Sequence, residues 1–288
     1  MSHRNRRAIT AADIGRLHEL TGAMRTPFSE MCAANLYLFR DAHAYRLSLD
    51  EAPFVQGVTY DGMPHAAPLA ALDDDALAEL SQQSGLTLYP LAARDQWAST
   101  YNPDDSDYVF RSPDLAEYAG PVRKAPRNMR RRFRREFEPR DEPFDGRRTQ
   151  DGLAVLEAWL ADVGKPWADT DYAACREAFA LFEPLRLIGL ITFTSGGDPA
   201  GFLLASPLGD GSAAVHFAKG KRRYPGVIPH LFSRFAEIEG HRFPRLNFEQ
   251  DLGKPGFRQA KRSHGPSALL HKHRLRPLGR VQHQPRSL

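Results

Sequence analysis

The sequence predicts a mixed α/β fold built as two units with a basic helix between them. Three observations carry that expectation. Short apolar runs of strand length alternate with stretches whose apolar residues recur at helical period. A chain of 288 residues, 42% of them hydrophobic, suffices for one large core or two of ordinary size. Near the middle, residues 138 to 150 mix charges with two prolines and a glycine, the composition of a boundary.

In chain order, a helix is expected near 11–21 and another from Ser29, read as its N-cap, to Phe39. Short strands follow near 44–49 and 54–59, then a helix near 74–83 and strands at Leu86 to Tyr89 and Tyr108 to Arg111. Pro113 suits the start of a short helix, and Pro126 the start of the basic one. In that basic helix Met129, Phe133 and Phe137 recur every four residues as one apolar stripe, flanked by Arg127, Arg130, Arg131, Arg134 and Arg135. Beyond the boundary, Leu153, Leu156, Leu160 and Val163 mark one helix, and Tyr172, Cys175, Phe179 and Phe182 the next. Strands at about 186–194, 200–207 and 213–218 are separated by the Gly- and Asp-rich turns at 195–198 and 209–211. A helix at 226–239, a strand ending at Glu249, a helix from Pro255 and a strand from Ala268 to Lys272 complete the order. The expected units are 1–137, including the basic helix 126–137, then 151–275, then a basic tail at 276–288.

The net charge of +4 conceals a polarity, because residues 123 to 135 hold eight Lys or Arg and no acid, leaving the rest of the chain net acidic. Positive charge gathered in one segment and at the ends points to a polyanion: RNA, DNA and an anionic membrane all qualify. No apolar run approaches the roughly 18 residues needed to cross a bilayer, so a cytoplasmic protein is expected, with peripheral membrane contact as the variant. Cys32 and Cys175 match no metal or redox spacing, and His271 with His273 lacks a suitably spaced third ligand, so no metal is expected.

The densest polar constellation is at residues 245 to 264, where a strand becomes a helix, the place at which α/β proteins seat their chemistry. Asn247, Glu249 and Asp251 share one face of the extended part, and Arg258, Lys261 and Arg262 follow within one helical turn. Its surroundings carry a resemblance. The order β-β-β-α-β-α-β resembles a GNAT-type acyltransferase domain. Asn247-Phe-Glu-Gln-Asp-Leu-Gly, Gly256-Phe-Arg-Gln-Ala-Lys261 and Leu269-Leu-His-Lys272 resemble the C-terminal signature of the phosphatidylglycerol lysyltransferase C-terminal-domain family. Ser29-Glu30 with Asn35 to Arg40, Asp107 to Arg111 with Lys124 and Arg127-Asn128, and His216-Phe-Ala-Lys219 resemble further family segments in the family's order, so that the likeness spans about 25–275.

The resemblance implies two tandem GNAT-like domains that take an aminoacyl group from aminoacyl-tRNA and pass it to a lipid headgroup or another acceptor, with no cofactor beyond the charged tRNA. A small-molecule acceptor is slightly favoured here, and an aminoacyl-tRNA synthetase is a further candidate partner. On that basis Glu249 or Asp251 serves as base or as anchor for the donor's ammonium, Lys261 as an oxyanion or phosphate ligand, and His216 as a base near neutral pH. Asn247, Gln250, Arg258, Lys219 and Asn128 are placed as substrate contacts, and Lys124, Arg127, Arg130, Arg131 and Arg134 as tRNA phosphate contacts. The structural alternatives are an ion pair of Glu249 with Lys261 or Arg258, a satisfied core His216 and a solvated basic face. Two rival functions stand beside this one. A coenzyme A-dependent N-acyltransferase would use the turn Arg222 to Gly226 for pyrophosphate, although Pro225 removes a donor there; a non-catalytic RNA-binding protein would keep only the basic helix.

Overall fold

A computed structural model of the chain describes residues 6–278. The expected basic tail therefore lies outside the described residues from 279 onward, as do the first five residues.

Two seven-stranded mixed sheets form the fold. The first runs Arg7–Ala8, Arg46–Ser48, Phe54–Val58, Pro64–Pro68, Thr87–Leu91, His273–Pro277 and Trp97–Tyr101 across its width. The second runs Ala268–Leu270, Asp107–Arg111, Arg245–Asn247, Ala213–Gly220, Pro199–Pro207, Ile188–Phe193 and Arg140–Pro143. The two sheets exchange strands across the sequence. Asp107–Arg111 pairs with Arg245–Asn247 and Ala268–Leu270, while His273–Pro277 inserts between Thr87–Leu91 and Trp97–Tyr101.

Alternation along Pro199–Pro207 shows how the second sheet is covered on both faces. Phe202 and Leu204 point into a core with Val155, Leu156 and Phe179 of the helices Thr149–Val163 and Tyr172–Ala180. Leu203 and Ala205 point the other way, toward Leu231 and Phe235 of Val227–Glu239 and Phe133 of the basic helix Lys124–Phe137. The first of these cores continues through Leu36 and Tyr37 into Leu47 and Val55 of the first sheet.

The departure that makes a site is in the second sheet. Ala213–Gly220 and Arg245–Asn247 are parallel, and only Ala213 with Leu246 and Ala214 with Asn247 are paired before the strands part. Against the gap stands the wholly buried helix Ala33–Leu38 from the first half of the chain. Cys32, not Ser29, is its N-cap: the Asn35 amide donates to Cys32 Sγ. Other expectations also shift. The strand read as ending at Glu249 ends at Asn247, and the one read to Lys272 ends at Leu270 and is followed by His273–Pro277. Residues 140 to 143, read as part of a boundary segment, form an edge strand. No helix among the described residues is long and apolar enough to cross a membrane.

Candidate active site

Where the two strands part, Ala213–Gly220 carries His216 beyond the last paired position, and the chain leaving Arg245–Asn247 turns sharply through Glu249. Glu249 has φ of +61°, a left-handed conformation that a non-glycine residue adopts only when its surroundings hold it. The holding groups are visible. The Glu249 amide donates to Asn247 Oδ1 at 2.7 Å, the Tyr108 amide donates to the Glu249 carbonyl at 3.2 Å, and Lys261 Nζ donates to the carbonyls of Phe248, Glu249 and Gln250 at 2.5, 3.1 and 2.5 Å.

This turn delivers the Glu249 carboxylate to His216, whose Nδ1 donates to Oε1 at 2.8 Å, and Asn35 Nδ2 donates to the same oxygen at 3.1 Å. The carboxylate can only accept, so Nδ1 must carry a proton. On the other side of the ring, His216 Nε2 lies 2.8 Å from Ser206 Oγ and 4.0 Å from Cys32 Sγ. Burial pulls the imidazole down, but its contacts with Cys32 and Glu249 outweigh burial and raise it to about 10. His216 is therefore an imidazolium at neutral pH, buried against the Glu249 carboxylate.

The neighbouring acids and bases divide differently from expectation. Asp251 is buried, accepting from Tyr108 Oη at 2.6 Å, Arg258 Nε at 2.8 Å and the Gly253 amide at 2.9 Å. Burial would raise its carboxyl, but those bonds outweigh it and hold Asp251 below the usual range. Arg258 also pairs with Asp104, so the ion pair foreseen for Glu249 belongs to Asp251. Lys261 is turned onto backbone carbonyls, and burial pulls it down to about 8 against the attraction of Glu249 and Asp107. Lys219 faces the opposite way, bound to Asp171 at 2.7 Å and stacked 3.8 Å above the Trp159 ring. Asn128, placed as a substrate contact, is exposed on the basic helix.

The five expected tRNA ligands also separate. Lys124, Arg131 and Arg134 are exposed. Arg127 donates to the carbonyls of Tyr118 and Gly120 at 2.6 and 3.0 Å, and Arg130 to that of Ala116 at 2.6 Å and to Ser233 Oγ. Those two guanidiniums fasten the helix to the chain that precedes it.

A second polar cluster underlies the turn. Lys272, 0% exposed, places Nζ 2.5 Å from Glu30 Oε1 and 2.7 Å from Asp107 Oδ1. Asp107 further accepts from the Ser29 amide at 2.9 Å, Ser29 Oγ at 3.0 Å and Asn247 Nδ2 at 2.8 Å. Asn247 is thus spent on holding the turn. Glu30, Asp107 and Lys272 stood within the family-like stretches, but partners 242 residues apart have no local signal.

Residues 24–275 match the family described as phosphatidylglycerol lysyltransferase, C-terminal. The chain belongs to that family. It is accordingly an acyltransferase, in a family of aminoacyltransferases. No curated protein sequence matches it. Among solved structures, a conserved protein of unknown function from Bacteroides thetaiotaomicron VPI-5482 is 21% identical with a TM-score of 0.80, over 94% of this chain and 98% of that one. The C-terminal domain of a putative lysylphosphatidylglycerol synthetase from Agrobacterium fabrum is 12% identical with a TM-score of 0.61, over 94% and 93%. L-PGS from Bacillus licheniformis is 12% identical with a TM-score of 0.60, over 96% and 94%. These likenesses establish the fold. Within the phosphatidylglycerol lysyltransferase C-terminal family, then, this member carries a His216–Glu249 pair at the split of its second sheet. Among the described residues no group of three or more His, Cys, Asp or Glu is arranged to hold a metal.

Proposed function

We propose that this protein moves an aminoacyl group from aminoacyl-tRNA to a hydroxyl or amine of a small molecule or a lipid headgroup, with Glu249 and His216 at the reacting end and no cofactor beyond the charged tRNA. The observation that carries the reading is the buried His216 paired with the half-buried Glu249 at the strand split, in a chain of this family. The acceptor's O–H or N–H would give its proton to the Glu249 carboxylate as its heteroatom attacks the ester carbonyl. The His216 imidazolium would steady the negative charge of the tetrahedral intermediate. Collapse breaks the ester bond, and the tRNA ribose oxygen leaves with the proton that Glu249 took up.

Lys124, Arg131 and Arg134, with Arg132 and Arg135 beside them, would supply the phosphate contacts of the tRNA. The coenzyme A alternative is poorly served by its turn. Gly226, with φ of +96°, is pressed so closely against the basic helix that a Cβ there would collide with the Met129 carbonyl, leaving little room for a pyrophosphate. An aminoacyl-tRNA synthetase would stand immediately upstream as the donor's source.

The deciding experiment incubates the protein with a pool of radiolabelled aminoacyl-tRNAs and candidate acceptors, with and without prior RNase treatment. Label is expected to leave tRNA for an acceptor, and RNase to abolish the transfer. If no charged tRNA is bound or deacylated while acetyl-coenzyme A binds saturably, the coenzyme A reading replaces this one.

A further inference from the structure

Next to the Glu249 turn in sequence lies the wall of a partly open cavity of about 10 Å³, space for one water-sized group. Gln250, the residue after Glu249, lines it together with Glu30, Tyr45, Tyr60, Tyr89 and His65. The His65 ring meets Tyr89 edge-on at 5.2 Å and Tyr45 edge-on at 6.3 Å, so much of the wall is aromatic. Two buried polar atoms of the lining residues have no hydrogen-bond partner: the acceptor Gln250 Oε1 and His65 Nδ1. His65 is 2% exposed, and burial pulls it down to about 4, which leaves it neutral.

The charge balance is also incomplete. One ammonium, Lys272, serves two buried carboxylates, Glu30 and Asp107. Asp107 is saturated by Lys272, Ser29 and Asn247. Glu30 receives Lys272 and a longer contact from Tyr89 Oη at 3.3 Å, both on Oε1. Its Oε2 faces Ser29 Oγ at 3.3 Å, whose single proton is better placed toward Asp107 at 3.0 Å. The other charges nearby are engaged away from Glu30: Asp105 is paired with Arg274, which also binds Asp61, Lys261 is attracted by Asp107 and Glu249, and burial keeps His43 shifted toward its neutral form. Burial, only partly offset by Lys272, lifts Glu30 to about 7. A cavity of this size, lined by aromatic rings, an unpartnered amide oxygen and the under-paired Glu30 carboxylate, suits a primary ammonium.

We propose that this cavity binds the free amino group of the aminoacyl donor, with Glu30 and Gln250 as its ligands. The inference rests on the function proposed above. The amino nitrogen of an aminoacyl ester is one carbon from the ester carbonyl, so seating it beside Gln250 brings that carbonyl toward Glu249. An arriving ammonium supplies the missing charge, and any proton Glu30 holds near neutral pH is then released.

The test is calorimetric titration with L-alaninamide, a minimal aminoacyl mimic, and with propionamide, which lacks the amine, in two buffers of different ionisation enthalpy. Alaninamide is expected to bind saturably with net proton release at pH 7 that turns to net uptake by pH 8.5, where Glu30 is already ionised and most of the free amine must gain a proton to bind, and propionamide not to bind. Gln250→Leu should weaken alaninamide at least about ten-fold by removing an acceptor from the cavity. Glu30→Gln should abolish the proton release; if that variant fails to fold, Gln250→Leu and the wild-type proton count still decide. Equal binding of the two amides, absence of saturable alaninamide binding, or unchanged binding in Gln250→Leu would overturn the proposal. Transfer assays with alanyl-tRNA and N-acetylalanyl-tRNA separate the two readings. Transfer that ignores N-acetylation removes the ammonium site and leaves the function standing; bound alaninamide without transfer from any charged tRNA does the reverse.

Discussion

At the scale of single residues, His216 and Glu249 are the pair on which the proposed chemistry turns, and they can be tested separately for turnover and stability. Glu249→Gln keeps the shape and loses the proton acceptor, so acceptor transfer should fall by about 10² or more while tRNA binding persists; wild-type turnover would reduce Glu249 to a structural role. The stability test uses pH. His216 is raised from 6.5 to about 10 in the folded protein, so its stabilising contribution is complete below pH 6.5 and is lost as pH rises toward 10. The gap in urea midpoint between wild type and His216→Gln should therefore narrow from pH 6.5 to pH 10, and a constant gap would show that the imidazole is not held protonated. Both residues were legible in the sequence, as polar groups near strand ends in family-like stretches. Their partners were not, because Cys32 and Asn35 reach them across 184 and 214 residues, and only the packing of Ala33–Leu38 against the split strands brings them there.

At the scale of elements, the basic helix shows how far charge and period can be read. Its position and buried Phe133 agree with the four-residue repeat, whereas Met129, on the same expected stripe, is 47% exposed. Charge density alone could not say which arginines face solvent. Arg127 and Arg130 lie where carbonyls of residues 116 to 120 are exposed at the end of the short helix Ser112–Glu117, and these draw the guanidiniums inward. The consequence is a divided effect. Arg130→Ala should cost about 1–3 kcal/mol of stability by leaving those acceptors without a charged donor, whereas neutralising Lys124, Arg131 and Arg134 together should leave the melting temperature nearly unchanged. The triple variant should instead weaken tRNA and lower the slope of log K against log salt by about 2 to 3, measured by filter binding. An unchanged slope would take this face out of the tRNA site. Strands were less legible than helices. Pro64–Pro68 has proline at both ends and only His and Ala between, a poor strand signature, and His273–Pro277 exists because the first sheet offers it two edges.

At the scale of the whole molecule, the two sheets are tied by exchange. A reading of local pattern divides the chain at its Pro- and Gly-bearing middle, since periodicity reports which residues form a strand but not which sheet receives it. Removing the first sheet's fold would expose both edges between which His273–Pro277 lies, and would release Arg274 from Asp61 and Asp105. Disrupting the second sheet would strand Asp107, on whose carboxylate Lys272, Ser29 and Asn247 converge from three parts of the sequence. The largest apolar core likewise joins Leu47 and Val55 of the first sheet to Phe202 and Phe217 of the second. Neither sheet can lose its structure without exposing part of the other's core, so unfolding should be a single cooperative event. Trp97 in the first sheet and Trp159 on a helix covering the second make this measurable. Variants retaining only one of these tryptophans, with the others replaced by Phe, should give denaturant transitions with coincident midpoints and slopes once each variant's stability is matched by far-UV circular dichroism. If either tryptophan's transition separates from the far-UV circular dichroism transition of the same variant, the exchanged strands do not couple the sheets, and each half would then be stable on its own core.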